Sequence, residues 1–402
     1  MKKGKLAAII SLGVLILLAV VCGIVFYQVP FDYDLSEIHS VKSDVVLLSA
    51  DDPLNHSGSP ALAKVKDGAI SNEDFRILFM TDNHLCERKD PTRETIERMV
   101  EWVYREKPDL IILGGDTLNG LNDRVRVDQF RTLMDKFEVY WAPVLGNHEG
   151  DRPILMTNRE NVVRLWSASP WCLMESDTKT TADGSTVDGY GNYVVSVLGS
   201  DGYIKDAFFM LDNGSKLMKK AEYEKWGVNK KADVAISATQ VTWYKETYAA
   251  MKAKNGGELT HMCVIHKPLR EFAEAITLSS DITYGKEVDW TISEQGSAAG
   301  WEHVYGTLRD KIHCPPYEDG ELYQALTANK ARAVFFGHDH VSDLTLYNRI
   351  DDIYLTYIRL ATVAEEIPEA EGYNILSIRA GGGYAYNAYD AEGDFICKLF
   401  EE

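Results

Sequence analysis

The sequence predicts an α/β fold in which two β-sheets pack face to face and helices lie outside them. Between residues 75 and 145, short apolar runs alternate with stretches whose apolar residues recur at helical spacing. That alternation is typical of parallel βαβ units. Beyond about residue 340 the chain reads as strands alone, at 344–347, 353–360 and 375–378. The combination favours a two-sheet sandwich flanked by helices.

Composition and charge narrow the classes of function. The 402 residues are 45% apolar and 26% charged, which is ordinary for a globular protein. Residues 1–30 hold three lysines and no acid, so the remainder carries −22, three units more than the −19 of the whole chain. A surface this acidic argues against binding nucleic acid. A phosphate-containing ligand would need local positive charge, for which bound metal ions are the obvious source.

The first thirty residues predict a membrane anchor. Three lysines precede an apolar run over residues 6–29. This run fits a membrane span of roughly 20 residues better than a signal-peptide core of about 7–15 residues. The lysines on its N-terminal side leave the bulk of the chain outside the cytoplasm. We predict a transmembrane signal anchor at 1–30 and an extracytoplasmic location at the cell surface, the alternative being secretion after signal cleavage.

Two domain-level expectations follow for the rest of the chain. Residues 31–72 are polar and mixed, and they predict a linker or a peripheral segment such as a hairpin. Residues 73–402 form the main domain. The six cysteines lack metal-knuckle spacing; export would permit one or two disulfides, whose pairing the sequence does not give. We expect no disulfide framework.

The main domain begins with three strands separated by two helices. The strands are expected at 75–80, 109–113 and 139–145. Asp90-Pro91 gives a capping residue and a first-turn proline for the first helix, and the second helix is expected at about 123–137. Strands at 193–198, 207–211 and 262–265 and a helix at 239–254 follow. Residues 279–320 interrupt this pattern, and an insertion of this length predicts a cap over a site.

Metal-binding side chains follow five predicted strands, the four at 75–80, 109–113, 139–145 and 262–265 and a fifth at 333–336. The carboxyl ends of strands are where open α/β sheets place their sites. The candidate ligands are Asp82, His84, Asp116, Asn147, His266, His338 and His340. Such ligands suit divalent Zn, Mn, Fe or Ni, and the lack of thiolates argues against structural zinc. Seven ligands predict two ions, with Asp116 as the shared carboxylate. Two-metal sites generate a hydroxide and clamp a phosphoryl oxygen, and His148 is left to protonate a leaving alkoxide.

Taken singly, each of these motifs has an ordinary structural explanation. Asp82-Asn83-His84 would more often be a surface loop, and Asp116 could be a turn residue after two glycines. His261 lies on the same strand as His266 and competes with it for the ligand role. The remaining histidines are expected to be solvated or structural; they are His39, His56, His303 and His313. The occurrence of five matching strand ends in one chain favours the metal site.

The order of these motifs resembles the calcineurin-like metallophosphoesterase superfamily: Asp-x-His, Gly-Asp, Gly-Asn-His-Glu, His and Gly-His-x-His, over about residues 74–390. Segments 209–214, 264–272, 337–343 and 382–386 are similar to its small purple-acid-phosphatase-like branch. The resemblance implies a four-layer αββα architecture. It also implies one metal ion on Asp82, His84, Asp116 and His340, another on Asp116, Asn147, His266 and His338, and His148 as the acid.

One departure from that pattern concerns the metal. Purple enzymes carry glycine at the position of His84 and a tyrosine three residues after the second-motif aspartate, where this chain has Asn119. The resemblance therefore implies no tyrosinate-bound ferric ion and no visible colour. Metal identity stays open among Mn, Fe, Zn and similar divalent ions.

These observations predict a dinuclear-metal phosphoesterase that hydrolyses small phosphate monoesters through a metal-bound hydroxide. One alternative is a phosphodiesterase acting on nucleotides or lipid headgroups, because the superfamily uses one metal cage for both reactions. Trp290, Trp301 and Tyr305 in the 279–320 insertion could stack a base or sugar, or simply pack within it. The other alternative is a non-catalytic surface binding protein that keeps the fold.

Overall fold

The computed structural model describes residues 12–17, 30–86, 89–119, 124–149, 158–214, 234–257, 259–317 and 321–401. The predicted transmembrane segment at 1–30 falls outside these ranges except for residues 12–17 and Pro30. In the part of the chain that is described, no helix combines the length and the apolar character needed to cross a bilayer.

Besides the helical residues 12–17 and a 3₁₀ helix at Leu35–Glu37, the described chain contains eighteen strands and seven α-helices, which are numbered here in chain order. The strands are β1 Val45–Leu48, β2 Ala61–Lys66, β3 Ala69–Ile70, β4 Phe75–Met80, β5 Leu110–Leu113, β6 Tyr140–Pro143, β7 Tyr193–Leu198, β8 Ile204–Met210, β9 Thr260–Val264, β10 Ile276–Leu278, β11 Trp290–Ile292, β12 Trp301–Tyr305, β13 Ala333–Phe336, β14 Thr345–Asn348, β15 Ile353–Tyr357, β16 Tyr373–Ile378, β17 Tyr384–Tyr389 and β18 Phe395–Glu401. The helices are α1 Lys89–Glu106, α2 Arg124–Phe137, α3 Arg159–Trp166, α4 Ala238–Lys254, α5 Arg270–Glu274, α6 Glu294–Ala298 and α7 Leu322–Ala328.

The strands form two large sheets and one small hairpin. The six-stranded sheet has the order β18-β17-β16-β4-β5-β6, in which β4, β5 and β6 are parallel and the other three join as an antiparallel meander. The ten-stranded sheet has the order β1-β2-β7-β8-β9-β13-β15-β14-β12, with β3 added beside β2. Its centre, β8-β9-β13-β15, is parallel. Strands β10 and β11 pair with each other.

Alternating side chains of β13 show how the sheets and helices are layered. Phe335 points toward the six-stranded sheet, where its ring centroid lies 4.6 Å from that of Phe79 on β4. Phe336 points the other way and lies 4.9 Å from Phe272 of α5. Both faces of this strand are buried, as expected for a continuous apolar run in a parallel sheet.

Helices cover the outer face of each sheet. The Trp102 ring of α1 lies 5.1 Å from that of Tyr373 on β16. The Phe130 ring of α2 lies 5.9 Å from that of Trp141 on β6. Tyr244 of α4 lies 4.8 Å from Phe209 on β8, and α4 begins at a capping box formed by Ser237 and Gln240. The layer order is helix, sheet, sheet, helix, and the predicted α/β fold is confirmed.

Two segments that the sequence left open belong to the edges of the larger sheet. Within 31–72, β1 and β2 form an antiparallel hairpin, and β2 also pairs with β7. Within the 279–320 insertion, β12 pairs with β14 at the opposite edge. Trp301 is buried and lies 5.8 Å from Tyr323 of α7, while Trp290 packs against His303 at 4.9 Å. These two indoles are engaged in packing.

Candidate metal centre

The turns that follow β4, β5, β9 and β13 meet at one end of the two sheets. The Asp82 amide donates to the Gly115 carbonyl at 3.0 Å within the smaller sheet. The His338 amide donates to the Asp82 carboxylate at 3.0 Å and so connects the two sheets. Four of the predicted ligands adopt a left-handed backbone that non-glycine residues rarely take: Asp82, His84, Asp116 and His338, with φ between 48° and 77°. Such strain, concentrated in one cluster, is typical of functional sites.

The glycines of these motifs are required by lack of space. An added Cβ at Gly146 would lie 2.1 Å from Asp116 Oδ1, and one at Gly337 would lie 2.3 Å from Asp82 Oδ2. At Gly115 the same atom would lie 2.4 Å from the His266 ring. Any side chain at these positions would displace a predicted ligand, so the glycines allow the backbone to approach the cluster closely.

The predicted ligands assemble into two groups that share one carboxylate. In the first group, offered ligand atoms of Asp82, His84, Asp116 and His340 all lie within 4.8 Å of one another. In the second, the same holds for Asp116, His266 and His338. Asp116 Oδ2 lies 3.8 Å from His84 Nε2 in one group and 3.1 Å from His266 Nε2 in the other. This is the geometry expected of a carboxylate between two ions.

Buried polar atoms at the cluster lack the hydrogen bonds that burial normally demands. Among the described residues, no hydrogen-bond partner is found for Asp82 Oδ1, Asp116 Oδ2, His84 Nε2 or His266 Nε2. Carboxylate oxygens and imidazole nitrogens are the donor atoms that borderline divalent metals accept. The residues present therefore fit a pair of divalent cations.

The charge states of the two carboxyls and of two histidines suit cations, whereas His266 and His340, whose pKa values are raised, hold a proton in the absence of metal. Burial opposes ionisation of Asp82 and Asp116, but the surrounding histidines, His266 first, hold the pKa of both carboxyls well below the usual value. Burial opposes the charge on His266 as well, yet Asp116 and Asp82 raise its pKa to about 9. Burial lowers the pKa of His84 and, more strongly, that of His338. Ionised carboxylates and neutral imidazoles are the forms that bind metal ions, so metal binding would release the proton that His266 holds in the metal-free protein.

The second ring nitrogen of three ligand histidines is held by a defined partner. His266 Nδ1 lies 2.8 Å from the Gly114 carbonyl, and His84 Nδ1 lies 2.8 Å from the side-chain amide of Asn119. His340 Nδ1 lies 2.9 Å from Glu365 Oε1, and this hydrogen bond lowers the pKa of Glu365 to about 2. The acceptors on Nδ1 of His266 and His340 leave Nε2 of each ring to face a metal, and all three partners orient their rings.

The turn after β6 brings the Gly-Asn-His-Glu motif against Asp116. Asn147 is fully buried there, and the His148 amide donates to Asp116 Oδ1 at 2.7 Å. The His148 ring remains partly exposed, with Nε2 3.8 Å from Asp116 Oδ2. The Glu149 carboxylate is buried and accepts from the amides of Gly146 and Leu118 at 2.7 and 2.9 Å, so it fixes the turn.

The other histidines lie outside the ligand cluster. His261 points toward α4, where its Nε2 lies 2.7 Å from the Tyr244 hydroxyl, which removes it as a rival to His266. His39 stacks on Tyr104 at 5.0 Å. His313 differs from the expectation of a merely solvated or structural residue: its Nδ1 lies 2.7 Å from Asp339, and its ring centroid lies 6.2 Å from that of His338.

The supporting residues were not identified from the sequence as parts of a site. Asn119 stood out only as a departure from the purple-enzyme pattern, and Glu365 and His313 lie in irregular segments without a motif. Glu149 belongs to the Gly-Asn-His-Glu motif, and its position directly after Asn147-His148 is the sequence signal that points to it.

The chain is similar in sequence to known proteins of one family. The family model for calcineurin-like phosphoesterase matches residues 75–342. Two relatives from Arabidopsis thaliana are named probable inactive purple acid phosphatase 28 and 14. The first is 22% identical over 340 residues, covering 78% of this chain and 66% of that protein. The second is 24% identical over 300 residues, covering 67% and 66%. This chain therefore spans about two thirds of their length.

Among solved structures, a dimetal phosphatase from Danio rerio aligns with a TM-score of 0.46 and 11% identity, covering 82% of this chain and 99% of that one. The family model covers about two thirds of the sequence, and the predicted similarity to the purple-acid-phosphatase-like branch is confirmed by the relatives. The chain belongs to the calcineurin-like phosphoesterase family.

Proposed function

We propose that this protein is a dinuclear-metal phosphoesterase that hydrolyses small phosphate monoesters. The observation that carries the proposal is the pair of ligand groups that share Asp116. Asp82, His84, Asp116 and His340 would hold one ion, and Asp116, Asn147, His266 and His338 the other. When bound, two divalent ions supply Lewis acidity for phosphoryl oxygens and lower the pKa of a nearby water.

The protein's own residues would then orient the ester and donate a proton to its leaving group. The chain carries a net charge of −19. Its surface therefore repels an anionic phosphate ester everywhere except near the bound cations. His148 is fixed through its backbone by Asp116 and keeps its ring partly exposed. From there its Nε2 can hold a proton for the departing alkoxide, which is the role of a general acid.

A non-catalytic binding protein is the second candidate, because the relatives are named probable inactive purple acid phosphatases. Loss of activity in such proteins commonly follows loss of ligands. All seven predicted ligand positions are filled by metal-binding side chains in this chain, which supports the enzyme. Phosphodiester hydrolysis stays as the alternative reaction.

The test is hydrolysis by protein loaded separately with Mn²⁺, Zn²⁺ or Fe²⁺. We expect faster turnover of 4-nitrophenyl phosphate than of bis(4-nitrophenyl) phosphate, and none after chelation. Faster turnover of the diester would favour the phosphodiesterase. Protein that binds two ions but hydrolyses neither ester would favour the binding protein.

The proposed location is the outer face of a membrane, with residues 1–30 as the anchor. The lysines before the apolar run support this orientation. Protease treatment of intact cells tests it, because an external domain is degraded while a cytoplasmic marker survives. Recovery in the culture medium of a protein shortened by its N-terminal apolar segment would instead indicate cleavage and secretion.

A further inference from the structure

A chain of hydrogen bonds connects the 279–320 insertion to one of the proposed metal ligands. The Tyr284 hydroxyl donates to Glu365 Oε2 at 2.5 Å. The other oxygen of the same carboxylate, Oε1, lies 2.9 Å from His340 Nδ1. His340 Nε2 in turn lies 3.4 Å from Asp82 Oδ1 within the first ligand group. Two successive hydrogen bonds therefore join Tyr284 to His340 through Glu365, and His340 belongs to the ligand cluster.

A second contact fastens the same two segments together. Gly285 follows Tyr284 and has a left-handed backbone at φ 79°. An added Cβ there would lie 2.7 Å from Ile367 Cδ1, so the insertion and the loop of Glu365 are in close contact. The Gly285 amide also donates to the Arg309 carbonyl at 2.9 Å, which anchors this turn within the insertion. The contact between Tyr284 and Glu365 is therefore one of two that hold the loop.

The partners of the three histidines differ in charge. The Nδ1 atom of His266 faces a backbone carbonyl, which is a neutral acceptor, and that of His84 faces the side-chain amide nitrogen of Asn119, which is a neutral donor. The partner of His340 is a carboxylate. An anionic acceptor on Nδ1 makes Nε2 a stronger donor to a metal than a neutral acceptor does. The effect of Glu365 should consequently be confined to the ion held by the first group.

We infer that Glu365 is a positioning residue for His340 and that Tyr284 of the insertion holds Glu365 in place. This inference rests on the proposed function, since it concerns one of the two metal positions. The insertion then has a role in metal retention at the first group, in addition to any part it plays in bordering the substrate.

The test measures binding of Co²⁺ to the metal-free protein by calorimetry and by visible absorption, because the absorption bands report coordination geometry. Glu365→Gln should lower the affinity for one of the two Co²⁺ ions by about 10–100-fold. It should change the absorption spectrum of that ion alone. Tyr284→Phe removes only the hydroxyl of a half-exposed residue and should weaken binding of the same ion to a smaller extent. Glu366→Gln is the matched control, since it makes the same charge change at the exposed neighbouring residue, and it should bind both ions as the native protein does.

Two results would overturn the inference while leaving the proposed function intact. One is native affinity of Glu365→Gln for both ions. The other is an equal loss of both ions together with a lower melting temperature of the metal-free variant, which would indicate a general structural role. If the native protein bound no ions, the proposed function and this inference would fail together.

Discussion

At the scale of single residues, Asp116 has the most far-reaching role in the site. Its Oδ2 atom faces His84 Nε2 in one ligand group and His266 Nε2 in the other. Replacement by asparagine removes the charge that both ions would share, so Asp116→Asn should lose both equivalents of bound metal. Elemental analysis after dialysis measures this, with the exposed Asp281→Asn as the control. Retention of two full equivalents would contradict the bridging role.

His148 should affect the reaction and leave metal content unchanged. Its backbone is fixed by Asp116, whereas its ring is partly exposed. A general acid contributes about 10²–10⁴-fold to rate, and its contribution is largest when the leaving group is a poor one. His148→Ala should therefore slow hydrolysis of an alkyl phosphate much more than that of 4-nitrophenyl phosphate. His303→Ala, at an exposed histidine, controls for a general effect, and equal losses with both substrates would refute the acid role.

Site residues could be predicted from the sequence only where they directly follow a recognisable strand. The seven candidate ligands follow apolar runs, and such runs are recognisable without a structure. Asn119 and Glu365 support ligands that lie 35 and 25 residues away along the chain. They lie in irregular segments, where a polar residue is the rule, so only the folded arrangement distinguishes them from neighbours such as Glu366.

At the scale of elements, the predictions succeeded where hydrophobic periodicity was strong. The helices expected at about 123–137 and at 239–254 are found at Arg124–Phe137 and Ala238–Lys254. The strands β17 and β18 were not predicted, and the hairpin of β1 and β2 was expected only as one of two alternatives for residues 31–72. β1 and β18 are edge strands, and tertiary pairing defines such strands more than composition does. Helix α3 was also missed, although Asn158 caps its start and Val162, Val163 and Trp166 are buried, because its 8 residues are too few for helical periodicity to be recognised.

Strand β8 carries a buried acid away from the ligand cluster. Asp206 is 1% exposed and accepts a hydrogen bond from the Tyr384 hydroxyl. Burial raises the pKa of this carboxyl from 3.8 to about 7, although Tyr384 and Lys205 oppose the change. Between about pH 4 and pH 7 the folded state therefore keeps a proton that the unfolded state has lost, so this residue makes stability fall as pH rises through that window.

Asp206→Asn should remove this part of the pH dependence. The free energy of unfolding of the variant, relative to that of the native protein, should rise from pH 5 to pH 7 by at most about 1.4 kcal/mol per pH unit. Above pH 7 the difference should become constant. Urea unfolding at pH 5, 6, 7 and 8 measures the difference. Asp390→Asn, with its partly exposed carboxylate, serves as the control. Parallel pH profiles for the native protein and Asp206→Asn would show that the buried carboxyl does not titrate in this range.

At the scale of the whole molecule, the ligand cluster joins the two sheets. Asp82, Asp116 and Asn147 follow strands of the six-stranded sheet, whereas His266, His338 and His340 follow strands of the ten-stranded sheet. Asp82 and His338 are 256 residues apart in sequence and are linked by a hydrogen bond. The sequence could predict this convergence because the carboxyl ends of parallel strands meet at one edge. It could not predict the hydrogen bond, which depends on how two separate sheets pack.

Metal ions bound across the two sheets should stabilise the entire sandwich, because ions that bind only the folded state shift unfolding by mass action. At an ion concentration of about 100 times Kd, each site contributes about 2.7 kcal/mol. A chelator should consequently lower the melting temperature of the native protein by several degrees, and added Mn²⁺ should restore it. The Asp116→Asn protein, with both ligand groups broken, should melt at the same temperature with or without chelator, while Asp281→Asn should respond like the native protein. Two outcomes would contradict this expectation: the chelator leaves the melting temperature of the native protein unchanged, or it lowers that of Asp116→Asn equally. Either would mean that ions at this cluster do not stabilise the two sheets.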